Sequence, residues 1–314
     1  MDSLISGLHH VTATVSEAQA DVDFYVGLLG QRLVKKTVNF DNPGVYHFYY
    51  GNEAGEPGTI MTTFPYAGMG VRVGTKGAGQ IDVTSFSAPA SAMDFWRDRL
   101  AKAGVRYNGD PTPFDEDALH FDDPSGLHIR IVGTEGDDRE PWTRPDIDAS
   151  RAIRGIHSVA MRVRKPATST ELLGSMMDAR QVDEAADIQR WAMGEGGPGH
   201  LVEVVDVGAE AGAAVNGLGT VHHVAFAVAT AEDQLRMQRE LRARGLTVTD
   251  VMDRQYFTSI YFREPNNVLY EIATLPPGFA VDEPLAELGR ALKLPPWEEP
   301  RRAAIEQVLP KVSY

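Results

Sequence analysis

Two strands that each carry a histidine pair, one near each end of the chain, constrain this sequence more than any other feature. Gly7-Leu8-His9-His10-Val11-Thr12-Ala13-Thr14-Val15 opens it, and Gly219-Thr220-Val221-His222-His223-Val224-Ala225-Phe226-Ala227-Val228 repeats the pattern late in it. Four of the nine histidines lie in these two pairs. Apolar and β-branched residues alternate around them, as in half-buried strands. Shortly after the second pair comes Leu269-Tyr270-Glu271-Ile272-Ala273, a carboxylate inside an apolar strand. A carboxylate in that setting carries a heavy desolvation cost unless it is paired or metal-bound. Two histidines and one carboxylate on strands make a facial ligand set with open positions, the set that suits non-haem Fe(II). The metal-free alternative is Glu271 ion-paired to Arg254 or Arg263.

The strand pattern recurs four times, starting at Gly7, Gly79, Gly155 and Gly219. Each copy runs strand, amphipathic helix, several strands. Apolar spacings such as Phe24/Leu28 and Met93/Trp96/Leu100 place helices near 17–29, 91–103, 167–177 and 231–244. Gly30, Gly104 and Gly245 stand where helix-ending glycines are expected. The last copy is expected to have strands near 247–251, 259–264 and 267–274. The expected fold is α+β: four βαβββ modules in two domains, followed by a helical tail. Residues 1–134 hold modules 1 and 2, and residues 151–275 hold modules 3 and 4. The Pro- and Asp-rich stretch 135–150 reads as the linker between them. The tail, 276–314, is expected to be helical over Pro284–Leu294 and Glu298–Leu309, with Trp297 and Phe279 packing it onto the body. The glycines at 68–70 and 77–79 read as a mobile loop near the mouth of a site.

Register selects the ligands. His10, Thr12 and Thr14 share one strand face, opposite His9, Val11, Ala13 and Val15. In the last copy His223, Ala225 and Ala227 oppose His222, Val224, Phe226 and Val228. The bulkier face should pack on a helix, leaving His10 and His223 to line a cavity. Aligning the copies puts His157 opposite His9, and puts Ser158 and Asp82 opposite His10. Counting on from Pro124 and Pro265 puts Arg130 in the place of Glu271. An arginine does not ligate a metal, so Asp82 and Arg130 are expected to form a structural ion pair. Glu203 in the third copy is a rival carboxylate. The metal set is therefore His10, His223 and Glu271.

The net charge, 30 − 44 = −14, opposes binding to nucleic acid or anionic membranes. Cysteine is absent, which rules out disulfides, thiolate ligands, Fe–S clusters and a Cys nucleophile. No apolar run approaches the ~18 residues of a membrane span. The N-terminus lacks a basic region followed by an apolar stretch, so a cytoplasmic protein is expected.

The repeated strand-helix-three-strand units, with His and Glu on equivalent strands, resemble the vicinal oxygen chelate superfamily. That superfamily includes glyoxalase I, bleomycin and fosfomycin resistance proteins and extradiol dioxygenases. Within it the chain is most similar to the ring-cleaving dioxygenases of para-hydroquinones. The stretches that carry this likeness include Gly7–Thr12, Val34–Asp41, Tyr46-His47, Gly58–Pro65, Gly155–Ser158, His222–Phe226 and Asp253–Thr274. The resemblance implies the iron ligands His10, His223 and Glu271, and pocket residues His9, Thr12, His222, Tyr261 and Arg254. Asn266-Asn267 departs from the usual Gly pair, but Asn also tolerates a left-handed turn.

The resemblance implies extradiol-type cleavage of a dihydroxybenzene by O2 with Fe(II), with Mn(II), Zn(II) or Ni(II) as other metals such a site takes. A para-quinol brings one hydroxyl to the metal, so another group must handle the remaining proton. His222 or His9 is the expected acid/base, and Tyr261 the expected donor to the bound oxygen. For Arg254 an ion pair with Glu264 or Asp253 is the plainer role. The competing functions are a glyoxalase-type lyase or isomerase and a metal-free protein that binds an aromatic toxin. Exposed strand edges leave homo-oligomers open.

Overall fold

The computed structural model describes residues 4–314. Module 1 contributes strands β1 (Ile5–Val15), β2 (Arg32–Asn39), β3 (Asn42–Gly51) and β4 (Ile60–Pro65). Module 2 contributes β5 (Gln80–Pro89), β6 (Tyr107–Asn108), β7 (Ala118–Asp122) and β8 (His128–Thr134). Module 3 has β9 (Gly155–Val163), β10 (Arg180–Ala185), β11 (Ile188–Ala192) and β12 (Leu201–Asp206). Module 4 has β13 (Thr220–Val228), β14 (Met252–Asp253), β15 (Thr258–Arg263) and β16 (Leu269–Thr274). One helix follows the first strand of each module: α1 (Ala18–Val22, extended by π-helical turns to Leu28), α2 (Met93–Lys102), α3 (Pro166–Met177) and α4 (Ala231–Ala243). The α+β reading and its four βαβββ modules hold.

The strands form two eight-stranded sheets, ordered β14-β15-β16-β13-β1-β4-β3-β2 and β10-β11-β12-β9-β5-β8-β7-β6. Each sheet therefore joins one module from each half of the chain, 1 with 4 and 2 with 3. The halves 1–134 and 151–275 divide the sequence, and the sheets divide the structure differently. As the register argument requires, Val11, Ala13 and Val15 of β1 and Val224, Phe226 and Val228 of β13 are fully buried in the main hydrophobic core, with Phe24, Trp96, Met237 and Leu241 from the helices. No helix among the described residues is long and apolar enough to cross a membrane.

Both central strand pairs are bulged, β1–β13 at three places, the first at Ser6, and β5–β9 at two; the four that follow recur at matching positions. In β1–β13, Leu8 pairs with Phe226 and His10 with Ala225, so His9 is the extra residue of β1. Thr12 pairs with His223 and Ala13 with Val221, so His222 is the extra residue of β13. By the same count Asp82 is extra in β5 and His157 in β9. A bulge re-aims its side chains relative to a regular strand. The four bulges align the modules and correct one expectation: Asp82 corresponds to His9, and Val83, not Asp82, corresponds to His10.

Three other expectations change. The glycine-rich segment after β4 is not a loop at the mouth of the site. It pairs with the link between modules 3 and 4, through Gly74 N–H to Leu218 O and Ala78 N–H to Gly212 O, both 2.9 Å. A Cβ at Gly77 would fall 2.5 Å from the Gly212 oxygen, so glycine permits this approach. Residues 247–251 form no strand, and β14 has only two residues. In the tail, Pro284–Leu294 is not helical beyond a turn at Leu285–Glu287, whereas α5 (Arg302–Val308) forms within the second expected stretch. The first stretch lies instead along β2, the edge of its sheet, with Leu292 bridging Lys36 and the buried Lys35 ammonium 2.6 Å from Asp282 and 2.5 Å from Glu283. Covering an edge strand this way shields its unpaired backbone groups. Trp297 packs edge-on to Phe40, and Phe279 against Tyr49 and Tyr256, so both anchor the tail as expected. Asn267 takes φ +76°, the left-handed turn anticipated for it.

Asp21 of α1 is buried and accepts hydrogen bonds from Tyr50 (2.6 Å) and Thr63 (2.5 Å). Burial raises its pKa from 3.8 to about 7. Burial likewise raises Asp123 to about 6. The folded state holds these protons more tightly than the unfolded chain, so stability is lost as pH rises through the raised pKa values. The melting temperature is expected to fall between about pH 4 and pH 7, and Asp21→Asn to flatten that slope. Thermal melts across the range check this, and an unchanged slope in the variant contradicts it.

Candidate metal centre

Strand pairing brings the three expected ligands together. His10 on β1 and His223 on β13 lie on adjacent antiparallel strands, and Glu271 on β16 pairs beside Ala225 of β13. His10 Nε2 is 3.3 Å from His223 Nε2 and 3.3 Å from Glu271 Oε2. His223 Nε2 is 2.7 Å from the same carboxylate oxygen. Ligands about 2.1 Å from an ion and mutually perpendicular are separated by about 3.0 Å. The three separations bracket that value, so the three atoms lie close enough together to hold one ion from one side. Among the described residues this is the one cluster of three metal-ligating side chains. All three are buried. Neither expected cation reaches the carboxylate: Arg254 bonds Tyr261 and Asp41, and Arg263 bonds the Asn267 carbonyl.

The surrounding hydrogen bonds leave lone pairs facing one another. His9 faces the Thr274 backbone, and its Nδ1 lies 2.9 Å from Nδ1 of His10. If His9 carries its proton on the ring nitrogen away from His10, its Nδ1 accepts, His10 carries its proton on Nδ1 and its Nε2 is bare. The same contact, 2.8 Å, joins His222 Nδ1 to His223 Nδ1. Ser259 donates to Glu271 Oε1, while Oε2 is buried without a hydrogen-bond donor. Burial pushes the Glu271 carboxyl up, but the charge and hydrogen bonds of protonated His10 and His223 outweigh it and hold it well below the usual range; with both rings neutral, that pull has to come from a cation. An anionic oxygen and two imidazole lone pairs converging without a proton repel each other unless a cation lies between them. The donor set fits a divalent metal ion on this ground.

His9 and His222 differ in position. His9 lies behind His10 and does not line the cavity, which corrects its expected place in the pocket. His222 does line it. Burial first, then the neighbouring imidazole, lowers both to about 3, so both rings are neutral at ordinary pH.

A cavity of about 380 Å³ opens on the ligands. Thr12, Tyr261 and Arg254 line it, as expected. Tyr261 packs edge-on to His223, with ring centroids 5.6 Å apart, and accepts from Arg254 Nε at 3.1 Å. Burial and the Glu271 charge raise its phenol above the ordinary value. The Arg254 partner is Asp41 of module 1, at 3.3 Å, rather than Glu264 or Asp253. The sequence reading assigned no role to His47 and Tyr49, which line the same cavity, or to Thr62 behind them. Phe40, Phe64, Tyr66 and Phe257 give the cavity an aromatic wall, and Thr14, Asn39, Asp41, Thr249 and Leu269 complete the lining.

A family model described as the Glyoxalase/Bleomycin resistance protein/Dioxygenase superfamily matches residues 7–131 and 155–272. The chain belongs to this superfamily. It is 44% identical to MhqO of Bacillus subtilis, provisionally named a ring-cleaving dioxygenase, over 96% of this chain and 95% of that one. It is 37% identical to the chlorohydroquinone/hydroquinone 1,2-dioxygenase of Sphingobium indicum, over 93% of this chain and 92% of that one. A crystal structure from Bacillus subtilis, provisionally described as a dioxygenase, superposes with a TM-score of 0.94 at 43% identity, over 99% of this chain and 98% of that one.

The second sheet builds the same superfamily frame around a different filling. Residues two beyond the ligand position pair with Glu271 in module 4, Glu203 in module 3, Arg130 in module 2 and Thr62 in module 1. The expected Asp82–Arg130 pair does not form. Asp82 meets His128 and Arg162, while Arg130 lies 3.2 Å from Glu203. Arg190, which pairs with Glu203 as Tyr261 pairs with Glu271, adds a second guanidinium at 2.9 Å. Two arginines thus supply the positive charge that a metal would supply, and Glu203 is no rival ligand. His223→Ala is expected to abolish stoichiometric metal binding, and His157→Ala to leave it intact. Equal losses by metal analysis would overturn the assignment. His9→Ala, which frees the His10 ring, is expected to weaken metal affinity about 10- to 100-fold in a chelator competition. Unchanged affinity would contradict its supporting role.

Proposed function

We propose that this protein is an Fe(II)-dependent, extradiol-type ring-cleaving dioxygenase that acts on a hydroquinone or related dihydroxybenzene with O2. The observation that carries this reading is the facial His10–His223–Glu271 set, whose vacant side opens into an aromatic-walled cavity. The named activity of the Sphingobium relative supports the substrate class. Two neutral imidazoles and one carboxylate suit Fe(II). Iron bound there supplies the charge that lowers a quinol hydroxyl pKa and the redox path between ring and O2.

The chain's own residues orient the ring. Arg254 Nε occupies a lone pair of the Tyr261 oxygen, which leaves the phenolic hydrogen free to donate to an oxygen of the substrate. If His223 donates from Nδ1, His222 accepts on Nδ1 and carries its own proton on Nε2. It then offers the cavity a donor, not a base. Phe64, Phe257 and Tyr66 exclude water and give the ring an apolar surface.

A glyoxalase-type lyase would need a second carboxylate or a metal-bound base. The module 1 position equivalent to Glu271 is Thr62, which favours the oxygenase. Iron-loaded protein given hydroquinone is expected to consume dioxygen one-for-one with substrate and to place both atoms of labelled O2 in a ring-opened product. Full iron loading without oxygen uptake across a panel of quinols would reject the reading.

A further inference from the structure

On the wall beside the ligands, four side chains from three strands are linked end to end. Tyr49 OH lies 2.9 Å from His47 Nδ1. His47 Nε2 lies 2.9 Å from Thr62 Oγ1. Thr62 donates its hydroxyl to Thr12 Oγ1, again at 2.9 Å. Strand pairing fixes these neighbours, because Thr62 lies beside Thr12 on β1 and beside Tyr49 on β3.

The direction of the chain follows from proton counting. Thr62 has one hydroxyl hydrogen and gives it to Thr12. It can then only accept from His47, so the imidazole proton is on Nε2. Burial holds the His47 ring neutral, well below its ordinary pKa. Its Nδ1 is therefore a bare acceptor and takes the Tyr49 hydrogen. Each member gives toward β1, and the one hydrogen left over belongs to Thr12. Thr12 has no protein acceptor for it among the described residues, and its side chain lines the cavity two residues beyond His10.

We propose that Tyr49, His47 and Thr62 are positioning residues that fix the Thr12 hydroxyl as a one-way donor to an oxygen of the bound quinol. The inference rests on the quinol-cleaving reading and deepens it, because a wall that only donates selects a ring substituent that accepts. It also gives Thr62 a role at the position where module 4 has its carboxylate. Thr62→Val keeps the shape, removes the orienting link and leaves the Thr12 hydroxyl to turn away.

The test is anaerobic titration of iron-loaded protein with hydroquinone, where no turnover occurs. Thr62→Val is expected to weaken binding about three- to tenfold, the worth of one neutral hydrogen bond, with iron content unchanged. Thr62→Ser should restore it. Thr12→Val should cost about as much, and the double variant no more than Thr12→Val alone. In metal-free protein, 15N spectra should give His47 protonated on Nε2 and bare on Nδ1. Wild-type affinity in Thr62→Val, additive losses, or the opposite His47 tautomer would overturn the proposal. Wild-type protein that binds no hydroquinone would overturn the functional reading and this proposal together. The variants at intact wild-type binding judge the chain alone.

Discussion

Strands β1 and β13 pair antiparallel, and this seam is the contact on which the site depends. It joins the two ends of the chain within one sheet, setting Thr12 opposite His223 and His10 opposite Ala225. Neither half of the sequence holds the ligand set. His10 comes from the first module, and His223 and Glu271 from the fourth. The seam also carries the bulges at His9 and His222. Those bulges allow neighbouring imidazoles to meet Nδ1 to Nδ1, an arrangement that leaves the outer ring nitrogens of the ligands free for a cation.

The same backbone frame occurs twice with different chemistry. In the first sheet, one carboxylate and two imidazoles converge with no protein cation among them. In the second, Glu203 meets Arg130 and Arg190, while Val83 and Ser158 stand in the histidine positions. A buried carboxylate needs a compensating charge, and each sheet answers that need differently. With two guanidiniums the second centre is electrostatically closed. The first remains open to an ion and, beyond it, to the cavity. Residue choice at four aligned positions thus decides which pair of modules can do chemistry.

The ligands were legible because strand periodicity is strict and the modules repeat. His10, Thr12 and Thr14 fall on one face by counting alone, and all three line the cavity. Counting from the opening glycine misplaced Asp82, because two residues separate Gly79 from the bulge at Asp82 and only one separates Gly7 from the bulge at His9, and the bulged His9 sits behind His10 rather than in the pocket. Partners that arrive from another module also escaped, such as Asp41 for Arg254 and Glu203 for Arg130. The Tyr49–His47–Thr62 chain escaped because two of its three members carry no ionisable signal near neutrality, and only the β1–β4–β3 pairing unites them. In the tail, residues 284–294 have composition compatible with a helix. The bridge of Leu292 to Lys36 on β2, and the ion pairs of the preceding Asp282 and Glu283 with the buried Lys35 ammonium, hold them in turns along the sheet edge instead, a tertiary effect that local propensity does not contain.

The central claim is that one divalent ion is gripped by single atoms of His10, His223 and Glu271 from opposite ends of the chain. Anomalous diffraction at the iron edge from iron-loaded crystals tests it directly. The account predicts one strong peak within about 2.0–2.2 Å of His10 Nε2, His223 Nε2 and a Glu271 oxygen. A peak elsewhere, or none between these side chains at full iron loading, would contradict it.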